Sequence, residues 1–378
     1  MRVDILHSFS NSGNSRPWRE VLEQARRRIQ LADQLGLDGF WLGEHHFDHA
    51  GIDQSPNPAM LMADLASRTS RIRIGIAAVI LPLWHPIRLA EDLAMLDHMT
   101  DGRLDVALSR GILQAEIVNL NAEADRADDQ RSKKIFSERL ALLRAAWNET
   151  HLSWSSERFQ IPHPDTKWPG VSEEYTDEDG RVTSLSVIPQ PAQAGGPPLF
   201  SVTDTASGFV TAAQQGLNVI TWFPTRGVLD GLNAAYQEEL DRAGPKPPGL
   251  ARSSALLRGC LVAPTDAEAR ELTEAQVEEN FAFIDKVRGL KIWLDQGEDA
   301  DDPAIRAQKP FDMLFERDHL LVGSPDTVAE KMIRIARNHG VDHWLLSPYL
   351  DEDDAHVDRS LSLMATKVLP KVRAALGT

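Results

Sequence analysis

"LADQLGLDGFWL" runs from Leu31 to Leu42, and its grammar returns twice, in "AAQQGLNVITWF" (Ala212 to Phe223) and "IARNHGVDHWLL" (Ile335 to Leu346). Each phrase reads as the last turn of a helix, a glycine, an apolar residue, a polar one and then an apolar run. Gly36, Gly216 and Gly340 stand where a helix ends in the left-handed conformation that costs glycine least. The runs that follow are short and continuously apolar, as expected of parallel strands covered on both faces. Repeated helix-to-strand steps of this kind mark βα units.

Five more segments fit the series. They are "VDIL" (Val3 to Leu6), "IRIGIAAVI" (Ile72 to Ile80), "RLDVALS" (Arg103 to Ser109), "PLFSVT" (Pro198 to Thr203) and "ALLRGCLVA" (Ala255 to Ala263). Helical periodicity lies between them, as in Trp18 to Leu35 and Arg131 to Trp147. Eight strands alternating with helices predict an α/β chain folded as a (β/α)8 TIM barrel. A doubly wound open sheet would call for a glycine-rich phosphate loop after the first strand, and "HSFSNSGNSRPW" there is no G-x-G-x-x-G. Two stretches fit no βα unit: 148–197, rich in proline with the acidic run "SEEYTDEDG", and 284–319, with "DQGEDADDPA". Both are read as excursions from one barrel domain spanning residues 1–378, acting as lids or surface segments.

The chain has 378 residues, 42% of them hydrophobic, a net charge of −16 and a pI near 5.2. That acidity repels phosphate backbones and anionic headgroups, so neither nucleic acid nor membrane is an expected partner. The lone Cys260 permits no intrachain disulfide and reads as a small buried hydrophobe in a strand. "MRVDILHSFS" has no signal-peptide pattern, and the longest apolar run, Ile74 to Trp84, is too short to span a bilayer. A cytoplasmic protein is the expectation.

In a parallel barrel, working groups gather at the C-terminal ends of strands. "GEHHF" puts Glu44, His45 and His46 after the second strand, Ser109 and Arg110 end the fourth, and Asp204, Thr205 and Ser207 follow the fifth in "SVTDTASGF". A metal reading of Glu44, His45, His46 and His49 is weak, because neighbours on an extended chain point to opposite faces. Arg110 beside Gly111 suits a phosphate, which a guanidinium grips with two donors. Thr205 and Ser207 read equally as helix caps, and a capped helix start also favours an anion. "LVGSPDTVAEKM" (Leu321 to Met332) looks like a phosphate turn, yet Ser324 as N-cap, Pro325 at the first helical position and Asp326 in the first turn already account for it.

Taken together, "GFWLGEHHF", "IGIAAVILPLWHPIRLAEDLAMLDHMTDGRLDVALSRG" and "TDTASGFVTAAQQGL" resemble the bacterial luciferase-like flavin monooxygenases. The likeness is strongest from Asp38 to Trp147, weaker over Leu199 to Phe223 and Leu320 to Lys371, and not evident in the two insertions. It implies a barrel that binds reduced FMN from a separate NAD(P)H:flavin reductase and uses O2, through a flavin peroxide, to oxygenate an aldehyde, ketone or natural-product intermediate. It implies no metal. By the family pattern Arg110 holds the FMN phosphate with Thr205 and the turn from Asp204 to Gly208. Ser207 replaces a hydroxyl often found at the position of Gly208. The Ala77–Ala78 bond matches a non-proline cis peptide beneath the flavin ring. His45 is the expected catalytic histidine, with Glu44 orienting it or stabilising its charge. Ser109 stands where luciferase itself has cysteine, which puts light emission in doubt. Luciferase-like proteins commonly pair through the Met- and Leu-rich segments "NPAMLMADLASRTS" and "HPIRLAEDLAMLDHM", so a homodimer is expected. The alternatives are a deazaflavin-dependent oxidoreductase of the same superfamily and a non-catalytic flavin-binding protein.

Overall fold

Each repeated phrase folds as its grammar dictates. Gly36, Gly216 and Gly340 take φ of 79°, 59° and 65°, and a buried strand follows each one. The structure is a computed structural model that describes residues 1–242, 250–349 and 352–378. The barrel strands are β1 (Arg2–His7), β2 (Gly39–Leu42), β3 (Arg73–Ile80), β4 (Leu104–Ser109), β5 (Leu199–Val202), β6 (Asn218–Thr221), β7 (Ala255–Val262) and β9 (His343–Pro348). They pair in parallel around a closed ring, which β9 seals against β1 with Arg2 opposite His343. All eight segments singled out in the sequence are these strands.

A ninth strand, β8 (Leu320–Gly323), was not anticipated. β6 pairs with β7 only at Ala255 and Leu256, and β8 pairs with β7 further along, at Gly259 to Val262. Only four residues long, it carries no periodicity of its own. The turn after it is structural, as expected: the Ser324 hydroxyl caps the helix Pro325–His339 by accepting from Thr327 N.

Helices α1 (Trp18–Gln34), α2 (Pro58–Ala66), α3 (Pro86–Met99), α4 (Gln114–Asn121), α5 (Asp129–Asn148) and α6 (Ala206–Gln214) clothe the first part of the ring. The outward strand residues Ile5, Phe40, Leu42, Ile74 and Val106 join the inward stripes of these helices in one apolar layer. The lumen is a second core, built from Trp41, Ala107, Phe200, Ile220, Leu257 and Leu345. Its lower end is polar. The fully buried Asp4 accepts hydrogen bonds from Trp41 Nε1 at 2.7 Å and His343 Nε2 at 2.8 Å and pairs with Arg2 at 2.7 Å. Two glycines make room for these groups. A Cβ on Gly39 would lie 2.6 Å from the Asp4 carboxyl carbon, and one on Gly75 would lie 2.0 Å from the Trp41 ring.

The insertions are built, with one boundary corrected. The first carries a small hairpin of Trp154–Ser155 and Gln160–Ile161 and is tied to the core through Leu152 and Val187. The second begins later than 284, because the helix Asp266–Arg288 runs through Ile284. Its short helices enclose an apolar cluster with Trp293, Phe311 and Leu314 that also takes in Phe223.

Gly75→Ala should therefore be disruptive: the added methyl meets an indole wedged in a closed lumen, and overpacking of this kind costs about 1–3 kcal/mol. Gly231→Ala, inside the helix Arg226–Arg242 with nothing within 4 Å of the new methyl, should instead stabilise by about 0.4–1 kcal/mol. Urea midpoints of the two variants measure both effects, and a shared direction would contradict the packing account.

Candidate active site

Glu44, His45 and His46 leave the end of β2 as expected, but their partners differ from expectation. Glu44 is buried, and its carboxylate accepts from Ile80 N at 2.7 Å, Trp84 Nε1 at 3.0 Å and His46 Nε2 at 2.9 Å. It therefore clamps the end of β2 to the end of β3 and orients His46; it makes no hydrogen bond with His45. The carboxylate on His45 is Glu116 of α4, whose Oε1 meets His45 Nδ1 at 3.0 Å and accepts from His46 N at 2.9 Å. The two imidazoles do part company, each to its own carboxylate, as an extended backbone requires.

Glu116 is 1% exposed and its Oε2 finds no partner among the described residues. Burial alone would lower the His45 pKa, but the Glu116 hydrogen bond and the negative charges of Asp53, Glu116 and Asp48 outweigh it, and the net direction is upward. Asp53, also buried, is pushed up by desolvation, with His45, Ser55 and the Phe9 N–H opposing.

The third strand presents a cis peptide at Ala77–Ala78, at the position singled out in the sequence. Ala77 O lies 3.5 Å from where a Cβ on Gly43 would sit, and His45 Cδ2 is equally near that point. β2 and β3 thus bring the imidazole and the cis peptide to one place.

Arg110 follows β4 and bonds Asp129 Oδ1 at 2.8 Å; this exposed carboxylate is held down to about 2 by hydrogen bonds from Lys133 and Arg110. Ser109 Oγ accepts from Gly111 N at 3.2 Å and shapes the turn. Arg126, which the sequence reading missed, donates to Gly111 O at 2.7 Å. Its guanidinium pKa is lowered by burial and by the like charges of Arg110 and Arg288. Arg288 in turn reaches Asp204 at 3.4 Å.

Thr205 caps α6, its hydroxyl accepting from Gly208 N at 3.1 Å. The N–H groups of Ala206 and Ser207 have no acceptor among the described residues. Ser207 Oγ lies 3.4 Å from Thr205 Oγ1. Asp204 does a different job from the one its place in the turn suggested. Its Oδ1 accepts from Thr221 Oγ1 at 2.9 Å, Trp222 N at 2.7 Å and Phe223 N at 3.1 Å, fastening the end of β5 to that of β6. A Cβ at Gly208 would fall 1.9 Å from Thr203 Oγ1. A hydroxyl is therefore present where the sequence shows a bare glycine, supplied by Thr203.

Among the described residues no helix is long and apolar enough to cross a membrane, and no group of three or more His, Cys, Asp and Glu is arranged to hold a metal.

Residues 1–343 match the family model for luciferase-like monooxygenases. The oxygenase component of a flavin-dependent trigonelline monooxygenase from Acinetobacter baylyi is 28% identical over 58% of this chain, which spans only 53% of that relative's length. An uncharacterised Sinorhizobium fredii protein is 24% identical over 94% of this chain and 93% of its own. Among solved structures, monooxygenase RslO1 from Streptomyces bottropensis superposes with a TM-score of 0.76 at 25% identity, over 98% of this chain and 99% of its own. The oxygenating constituent of 3,6-diketocamphane monooxygenase from Pseudomonas putida, in complex with FMN, shares the fold with a TM-score of 0.80 at 21% identity, covering 98% of each chain. The chain belongs to the luciferase-like monooxygenase family.

Proposed function

We propose that this chain is the oxygenase component of a two-component, FMNH2-dependent monooxygenase that oxygenates a small organic acceptor with O2. The observation that carries the reading is the cationic cradle around Arg126. Burial and the like charges of Arg110 and Arg288 lower the Arg126 pKa, with Asp129 opposing, and Arg288 pairs with Asp204 just before α6, whose Ala206 and Ser207 N–H groups have no acceptor among the described residues. Like charges brought this close are costly unless an anion joins them. A phosphate meets the demand, gripped by Arg110 and Arg126 and received by α6 with the hydroxyls of Thr205, Ser207 and Thr203.

Bound reduced FMN would supply the activation of O2 and the oxygen transfer. The residues of the chain then have separable tasks. The Ala77–Ala78 backbone would face the flavin, and Glu44 with Ile80 and Trp84 fixes the ends of β2 and β3. His45 holds the proton: with Nδ1 donating to Glu116, Nε2 is left as donor or acceptor. Reducing equivalents come from a separate NAD(P)H:flavin reductase, in keeping with the "oxygenase component" that names the Acinetobacter baylyi relative. The same cradle would suit a deazaflavin phosphate, and an F420-dependent secondary alcohol dehydrogenase shares the fold with a TM-score of 0.68. Incorporation of label from 18O2 into product supports the oxygenase; hydride transfer without label would support the dehydrogenase.

Arg110→Ala and Arg126→Ala should each weaken reduced-FMN binding about tenfold to a hundredfold, the value of a charge-assisted contact of about 1.5–3 kcal/mol. Anaerobic titration measures it, and unchanged affinity in both variants would move the phosphate elsewhere.

His45→Ala should retain flavin binding and lose product by about 10²–10⁴-fold, with hydrogen peroxide released instead. His46→Ala should be milder in coupling. Glu116→Gln tests the proton assignment. Glu116 helps raise the His45 pKa, so protonated His45 persists above its ordinary value near 6.5 and is lost as pH rises through the folded value. Removing the charge should move the alkaline limb of the product-yield profile to lower pH. An unmoved limb in Glu116→Gln would take His45 out of the proton path.

Met60 on α2 and Met95 and Met99 on α3 stand on the outer wall, 70%, 41% and 62% exposed, and a homodimer pairing through these segments would bury them. Sedimentation should give twice the 42.0 kDa chain mass, and Met60→Lys combined with Met99→Lys should return a monomer. A monomeric native chain at micromolar concentration would contradict the pairing.

A further inference from the structure

A cavity of about 390 Å³ opens beside His45, between the loop after β1 and the loop after β2. Its volume falls within the range of small-molecule sites. Most of its polar lining is already committed. Asn11 Nδ2 donates to Arg16 O at 3.0 Å and to Gln54 Oε1 at 3.2 Å, and Gln54 Nε2 donates in turn to Asn14 Oδ1. Arg16 Nη2 donates to Ser10 O at 2.6 Å, and its guanidinium also meets Gln24. Asp48 Oδ1 accepts from the backbone of Ala50 and Gly51, and its Oδ2 from that of Asp53.

Three lining side-chain atoms are left over among the described residues, one of them Arg16 Nε, whose guanidinium pairs with Glu352 at 3.9 Å. Asp53 Oδ1 accepts from Phe9 N at 3.2 Å and Ser55 Oγ at 2.6 Å, while its Oδ2 accepts from no described residue and is not sealed from the cavity. His45 Nε2 is equally free once Nδ1 is bound to Glu116. Asp53 Oδ2, His45 Cδ2 and Ala77 O each lie 3.5 Å from the point where a Cβ on Gly43 would sit. The missing side chain thus joins the cavity to the imidazole and the cis peptide. Trp18 and Phe47, 42% and 60% exposed, stand on the cavity wall.

We propose that this cavity is the acceptor subsite and that it takes a compact ring bearing a cationic or N–H nitrogen. The free Oδ2 of Asp53 receives that nitrogen, Trp18 and Phe47 flank the ring, and His45 Nε2 faces the carbon skeleton. An aromatic wall beside a carboxylate favours a cation twice over, and the net charge of −16 draws it in. The assignment rests on the flavin monooxygenase reading, since His45 is shared between the two.

The test is ligand-observed NMR on the full chain with FMN bound, using N-methylpyridinium chloride, cyclohexanone and decanal as probes. The pyridinium should bind most tightly. Asp53→Asn should weaken it on the order of tenfold or more with FMN affinity unchanged, which also shows the variant folded. Trp18→Ala, which leaves the carboxylate in place, should weaken it too. Equal pyridinium affinity in native and Asp53→Asn protein, or tightest binding of decanal, overturns the proposal. Binding needs no turnover, so pyridinium binding lost in Asp53→Asn stands even where 18O2 labelling fails, and that failure alone would count against the oxygenase reading.

Discussion

The carboxylate of Asp4, sealed in the floor of the barrel, is the constraint on which the rest of the structure depends. It holds Trp41, His343 and Arg2 at once, and so ties β1 to both neighbours in the ring. Arg2 passes the connection to Asp105 on β4 at 2.8 Å, and Arg73 on β3 meets Asp105 at 2.7 Å. Desolvation pushes the Asp4 pKa up, but the His343 hydrogen bond and the charges of His343 and Arg2 outweigh it, and the net direction is downward. A carboxylate buried with fewer partners would be a liability, since removing one partner of a buried pair costs about 3–5 kcal/mol. With the floor closed by this network and by the Trp41 indole, the lumen is a packed core, and only the mouth is left for chemistry.

At the mouth, two more buried carboxylates repeat the device. Glu44 spends itself on Ile80, Trp84 and His46, and Glu116 on His45 and the backbone of His46. Glu116 rides on α4, which begins four residues after Arg110, so one short helix links the proposed phosphate site to the imidazole. Such a link suits the proposed site, where a flavin ring would be held against a proton carrier.

The ring of strands was legible because its signals are local. A glycine at each helix end and a continuous apolar run after it need no knowledge of the partner strand, and the strand ends then place Glu44, His45, Arg110 and Thr205 at one mouth. What could not be read depends on contacts across the chain. Glu116 lies 71 residues from His45, so adjacency wrongly favoured Glu44 as its partner. Arg126 sits in an ordinary charged run, and nothing local shows that it folds back on Gly111. Gly39 and Gly75 look like interchangeable small residues until Asp4 and Trp41 fill the space beside them. β8 was invisible for a different reason: four apolar residues before a helix cap have no period to detect.

The charge of the chain and the charge of its site have opposite signs, and the exposed Asp129 reconciles them. A surface at −16 should repel an anion such as the proposed FMN phosphate, yet Arg110 and Arg288 bring enough positive charge to Arg126 to lower its pKa. Arg110 is meanwhile held by Asp129, more than half of whose side chain faces solvent. An ion pair so exposed is worth about 0–1 kcal/mol, and a carboxylate with water at hand loses little when it lets go. A bidentate phosphate, met at once by a second guanidinium and a helix start, offers Arg110 more than Asp129 does. Asp129 keeps the guanidinium paired and pointed without competing seriously for it, while the half-buried Asp204, with Oδ1 given to three donors on β6 and its end, fixes the turn before α6 that the proposed phosphate would meet.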